Sequence, residues 1–261
     1  MAGNTVSIRI VAQDAASAQI DKIRNKFESL TTTQGWKNFV TGVGMSAGMV
    51  AWNALSNAAM GAVASIGDAI QLASDMNESM NKAQVVFGGS VKAIDEFAKT
   101  SATSFGISKR AAYEANGTIG NLFVSMGLGK DAAASMSVDV VKLAADLASF
   151  NNLGIEDTLQ KIRSGLVGES EPLRALGVQM NEATVMSQAM AMGMEAVNGK
   201  LTESQKIQAR YALILEQTKT AQGDFGRTSD GLANSQRILA AQMEDLQASI
   251  GVELLPVMVE F

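Results

Sequence analysis

Two carboxylates one residue apart, Glu169 and Glu171 in Gly-Glu-Ser-Glu-Pro, are the first residues whose type and spacing could do chemistry, since paired acids serve glycosidic cleavage. A helix start explains them better. Pro172 suits a first helical turn, and acids beside it offset the helix dipole and accept from free N–H groups. Gly42-Val43-Gly44-Met45-Ser46-Ala47 fits a dinucleotide fingerprint, with Asp68 placed as a ribose-binding acid. That fingerprint needs a strand on each side, and no alternation of strands and helices follows to build the sheet. Lys130 follows Gly129, but no glycine stands five positions earlier, so there is no phosphate loop. The chain contains 15 Met, among them Met186, Met190, Met192 and Met194, and these fit flexible core or contact surface better than metal ligation.

The missing residue types narrow the chemistry further. There is no Cys, which removes disulfides, thiol nucleophiles and thiolate zinc sites. There is no His, which removes the commonest general base and the commonest transition-metal ligand. The net charge of −5 gives no electrostatic ground for gripping a phosphate backbone. The reading is therefore a protein that is not an enzyme, with no catalytic residue, no cofactor, no metal and no specific nucleic-acid binding.

The elements that hold these residues read as helices. Only two prolines interrupt 261 residues, and Pro costs roughly 3 kcal/mol within a helix, so long helices are permitted. Residues 5–11 alternate and are β-branched, which predicts one short strand. An amphipathic helix follows, with Asp14 as N-cap and Ile20, Ile23, Phe27 and Leu30 on one face. Residues 38–67 form a run of 30 positions without a charge, rich in Gly, Ala, Ser and Met. Its length would span a bilayer, and small residues such as Gly44, Gly48 and Ala51, with Trp52 beside them, suit either lipid contact or close helix packing. Asn53, Asn57 and several Ser favour a helix packed within a protein assembly.

Beyond this run, helices are predicted over 68–86, 90–104, 108–126, 130–150, 155–166, 181–192, 203–221 and 232–255. Ser108 and Thr202 are N-caps, Thr202 with Gln205 making a capping box, and glycines punctuate the breaks. The last helix carries Leu232, Leu239, Met243, Leu246, Ile250 and Leu254, a loose heptad-like stripe suited to coiled-coil self-association. The expected organisation is a strand plus amphipathic helix at 1–35, the uncharged helical segment at 36–75, a helical domain at 76–230, and the start of a long helix at 231–261.

Three segments resemble the N-terminal region of phage tail tape measure proteins. The first, residues 144–152 (Ala-Ala-Asp-Leu-Ala-Ser-Phe-Asn-Asn), includes Phe150 and Asn151. The second, residues 162–178, is the most specific, because Gly165, Leu166, Gly168, Glu171, Pro172, Leu173, Arg174 and Gly177 must coincide at fixed spacing. The third runs from Lys206 to Tyr211, with Arg210 and Tyr211, through residues 222–228, with Gly223 and Phe225, to Leu254-Leu255-Pro256. Locally, the second segment predicts a helix-loop-helix corner: Gly165 and Gly168 loosen one helix, the Glu169-Ser170-Glu171 side chains cap the next, Pro172 starts it, and Gly177 ends it. Arg174 is placed to pair with a nearby acid, a surface contact worth about 0–1 kcal/mol.

The resemblance implies a structural, multicopy helical protein of the virion, held in the lumen of the tail tube after assembly in the host cytoplasm. It would determine tail length, scaffold tube assembly and leave during genome ejection. Its partners would be its own copies, tail tube and tail tip proteins, tail assembly chaperones and, during ejection, the host membrane. Members of the family are far longer, and at about 1.5 Å per residue 261 helical residues reach at most about 390 Å. The chain also stops within an apolar run at Val257-Met258-Val259-Glu260-Phe261, so a fragment or a degenerate prophage product is expected. The alternative is a membrane-inserting or pore-forming protein built on residues 38–67.

Overall fold

Residues 66–259 are described by a computed structural model. The expected strand at 5–11, the amphipathic helix after Asp14, and Gly44, Gly48, Ala51 and Trp52 lie outside them. The described residues are mainly helical and contain no strand, and among them no helix is long and apolar enough to cross a membrane.

Helix α1 spans Ile66–Phe87 and passes through a 3-10 turn at Gly88–Val91 into α2, Lys92–Phe105. Helix α3 covers Lys109–Ser125 and α4 covers Lys130–Phe150. Then come α5, Ile155–Val167, a 3-10 turn at Pro172–Leu176, and α6, Glu182–Ala191. Helix α7 spans Glu203–Gln217, α8 is the single turn Asp224–Arg227, and α9 runs Leu232–Val259. The predicted breaks fall where expected. Ser108 accepts from the Ala111 N–H, and Thr202 and Gln205 close their capping box. A second box, Asn181 with Thr184, starts α6. The helix expected over 203–221 stops at Gln217, where Thr218 leaves helical geometry (φ −104°, ψ 10°) and the chain enters turns; the Thr218 hydroxyl also donates to the Ile214 carbonyl at 2.6 Å.

Helix α4 is the centre of the body. Its residues from Leu143 to Ala148 are buried without a break, and α2, α3, α5 and α8 pack around it. A helix surrounded in this way must offer small side chains to its neighbours, which the alanines of α4 do. Close approach recurs between α1 and α3, where Phe87 is fully buried against Gly120; a Cβ there would lie 2.1 Å from the ring.

Helices α1 and α9 pack along each other. Gly251 late in α9 meets Ala69 and Ala73 early in α1, while Asp75 and Glu244 both act on Arg110, so the two run antiparallel. This covers much of the stripe read as a self-association surface: Leu239, Leu246 and Ile250 are buried, whereas Leu232 at the start remains 43% exposed. Helix α1 also runs without interruption across the division expected between 75 and 76.

Candidate functional site

Helix α5 ends at Gly168, whose φ of 110° only glycine adopts readily, and the Gly168 N–H returns to the Ser164 and Gly165 carbonyls. A Cβ at Gly168 would come within 2.8 Å of the Arg210 guanidinium. Arg210 uses that space to donate to the Leu166 carbonyl at 3.1 Å, placing a cation on the free carbonyls of α5. Gly165 does not loosen the helix. It stays helical and forms the seat for Leu173, whose Cδ1 lies 2.1 Å from where a Cβ would stand.

Pro172 opens the 3-10 turn and Gly177, at φ 79°, ends it. The cap expected from Glu169, Ser170 and Glu171 does not form. Glu171 sits at the N-cap position in helical conformation (φ −63°, ψ −46°) and makes no side-chain cap bond. A cap requires extended backbone at that position so that the side chain can fold back onto later N–H groups. Arg174 is exposed and forms no ion pair among the described residues, because its short turn projects it outward. Beyond Gly177, the Gln217 side chain accepts from the Gln179 N–H at 2.8 Å and donates to the Gln179 carbonyl at 2.9 Å. Arg210 and Gln217 stand two turns apart on one face of α7, so one helix clamps both ends of the corner. The neighbouring Tyr211 packs edge-on against Phe123 and donates to Asp139 at 3.1 Å. Burial first, and then the Asp139 carboxylate, push its phenol above the ordinary range.

The first and third segments meet at a second junction. Asp146 is 7% exposed and accepts from the Gly223 N–H at 2.7 Å and the Phe225 N–H at 3.1 Å. Its carboxylate thus satisfies free N–H groups at the start of α8. Ser149, one turn on, donates to Asp224 at 2.7 Å, and Asn234 donates to Ser149 at 2.8 Å and to the Thr228 hydroxyl at 2.9 Å. Phe225 is fully buried with its ring tilted against Phe105 at 6.4 Å between centroids. Phe150, by contrast, is 55% exposed, and Asn151 ends α4 by donating its amide to the Leu147 carbonyl at 2.9 Å.

A cleft of about 560 Å³ opens between α3, α5 and α9 over α4. Its lining is mainly apolar (Ala111, Ala115, Ile155, Leu159 and Ala240 among others), with Arg110, Glu114, Glu244, Glu156, Arg163 and Arg237 around it. Arg110 contacts Glu244 at 2.6 Å and Glu114 at 2.8 Å. Burial works against its charge, but the bond to Glu244 and the nearby acids more than offset this and raise its pKa. Burial pushes the Arg237 guanidinium down. At the cleft edge Asp245 accepts from the Lys109 N–H at 2.7 Å, capping α3 from a neighbouring helix. Burial, with Glu244 adding, pushes its carboxyl up to about 6, against the Lys109 N–H and charge.

Among the described residues no group of three or more acids could hold a metal ion. Glu169 and Glu171 are exposed and outside this cleft. The residues that organise the junctions and the cleft without having been singled out are Asp146, Ser149, Gln217, Asn234, Arg237 and Asp245. Asp146 carried a readable signal, since an acid with three apolar residues before it and two after it on a helix must find buried donors. Comparison of the chain with protein-family models, curated proteins and solved structures returned no match.

Proposed function

We propose that this chain is a structural component of a phage tail, of the tape-measure type, working through protein–protein contacts and not through catalysis. One observation carries the proposal. The three separated segments that resemble the N-terminal region of that family interlock: Asp146 of the first holds Gly223 and Phe225 of the third, and Arg210 of the third holds Leu166 of the second. Residues that share one packed unit have a common reason to occur together at fixed spacing. The buried glycine contacts and the clamp from α7 make that unit a rigid body suited to bearing contacts in an assembly.

On this reading the chain helps set tail length and scaffolds the tail tube. It works with its own copies, with tube and tip proteins and with tail assembly chaperones, in the host cytoplasm and then in the tube lumen, and departs when the genome is ejected. Helix α9 would contribute to self-association where its stripe extends beyond the cover of α1.

Peptide mapping of purified virions tests the proposal. Peptides of this chain, recovered from the particle and continuous with a much longer polypeptide, are expected. Virions free of these peptides, with a 261-residue product in infected cells, would overturn it.

A further inference from the structure

The cleft between α3, α5 and α9 is lined by three arginines and three glutamates, but two of the arginines are not paired with a carboxylate. Arg110 is neutralised by Glu244 and Glu114. Glu156 lies in the first turn of α5, where the free N–H groups of the helix already offset its charge. The other two cations lack such a counterpart. Arg237 donates to the Asn234 side-chain oxygen at 2.6 Å and to the Leu153 carbonyl at 2.9 Å, both neutral acceptors, and forms no ion pair among the described residues. Two of its five N–H groups are occupied. Arg163 lines the same cleft from α5 with no bond to any described residue. The same lining has an apolar part that includes Ala111, Ala115, Ile155, Leu159 and Ala240. Arg237 is half-buried without a carboxylate, a cost in free energy that a bound anion would offset, while Arg163 is exposed; the volume of about 560 Å³ lies within the range of small-molecule sites.

We propose that this cleft binds a small carboxylate with an apolar tail, the carboxylate lying at Arg163 and Arg237 and the tail along the lining from Ala111 to Ala240. Arginine suits this role because its planar fork meets a carboxylate through parallel N–H bonds. The inference is independent of the proposed place in a phage tail.

Calorimetric titration of the full chain with decanoate, kept below the concentration at which it self-assembles, tests the site. Decyltrimethylammonium and decanol serve as the cationic and neutral controls. One saturable decanoate site is expected, with no binding of the cation and weaker binding of the alcohol. Arg163→Gln, at an exposed position, should weaken decanoate about tenfold through loss of a charged bond. Ala240→Phe, also at an exposed position, should fill the cleft and abolish binding, with the helical circular dichroism of both variants unchanged. Absence of saturable binding overturns the proposal. So does equal affinity for decanol, or decanoate affinity undiminished in either variant.

Discussion

Replacing Asp146 by Ala isolates the junction between α4 and α8. The carboxylate is 7% exposed and carries the N–H groups of Gly223 and Phe225. Its removal strands both donors beside a fully buried Phe225, and each stranded donor costs about 1–3 kcal/mol. The Phe225 donor is buried, whereas that of Gly223 lies where water can reach it, so a total of about 3–4 kcal/mol follows. Asp146→Asn retains one accepting oxygen and turns an amide donor toward the other N–H, and should cost about 1–2 kcal/mol. In a body of this size each kcal/mol lowers the melting temperature by roughly 2–4 °C, giving a drop of about 10 °C for Asp146→Ala. Urea titration followed by circular dichroism measures the free energies directly. A value for Asp146→Ala within about 0.5 kcal/mol of the parent would mean that α8 is not held by this carboxylate, and the argument from interlocked segments would lose its main contact.

Two further perturbations probe the corner and the α3 cap. Gly165→Ala would set a Cβ 2.1 Å from Leu173 Cδ1 and should cost about 1–3 kcal/mol by overpacking. In the background of Leu173→Ala the same change should cost almost nothing, and additive losses in urea titration would show that Gly165 is not the seat of Leu173. Asp245 has its pKa raised in the folded state to about 6, from roughly 4 for an unburied aspartate. The protonated form is therefore the favoured folded form, and the stability it contributes is complete below about pH 4 and lost as pH rises through about 6. Asp245→Asn keeps an acceptor for the Lys109 N–H and should gain about 1–2 kcal/mol at pH 7.5, after discounting for partial solvent screening. That gain should vanish near pH 4; melting curves showing an equal gain at both pH values would refute the assignment.

The helices were legible because their signals are local. Gly106, Gly127, Gly154, Gly193 and Gly223 lie at the expected breaks, and Ser108 and Thr202 cap through atoms three residues away. The corner at 165–178 was legible in outline, but its mechanics were not. A sequence gives Gly165 and Leu173 at a separation of eight residues, and only the returning chain shows that one is the seat of the other. The Glu171 cap failed for a similar reason: the N-cap rule assumes extended backbone, and the Gly168 reversal delivers the chain to Pro172 already helical. The Asp146, Arg210 and Gln217 contacts span dozens of residues, and no periodicity encodes a partner at that distance. The heptad-like stripe of α9 shows the remaining ambiguity. Periodicity reports that a face must be buried and is silent on whether the cover comes from the same chain or from another copy.

That ambiguity decides how α9 can serve self-association, and Gly251 separates the two cases. A Cβ there would lie 1.9 Å from the Ala69 carbonyl oxygen, and backbone cannot rotate aside as a side chain can. Gly251→Leu should therefore force α1 and α9 apart near Ala69 and Ala73, exposing Leu246 and Ile250. Each side chain uncovered is worth about 1.5–3 kcal/mol of burial, so the chain is under pressure to cover them again. If α9 is intrinsically a coiled-coil helix, the variant covers them with a second copy, and sedimentation equilibrium shows a concentration-dependent dimer or higher oligomer that retains helical circular dichroism. If the stripe is built only to receive α1, the variant instead loses cooperativity in urea and stays monomeric at concentrations where it remains soluble. The second result would remove α9 from the self-association surface, leaving copy-to-copy contacts to other parts of the chain.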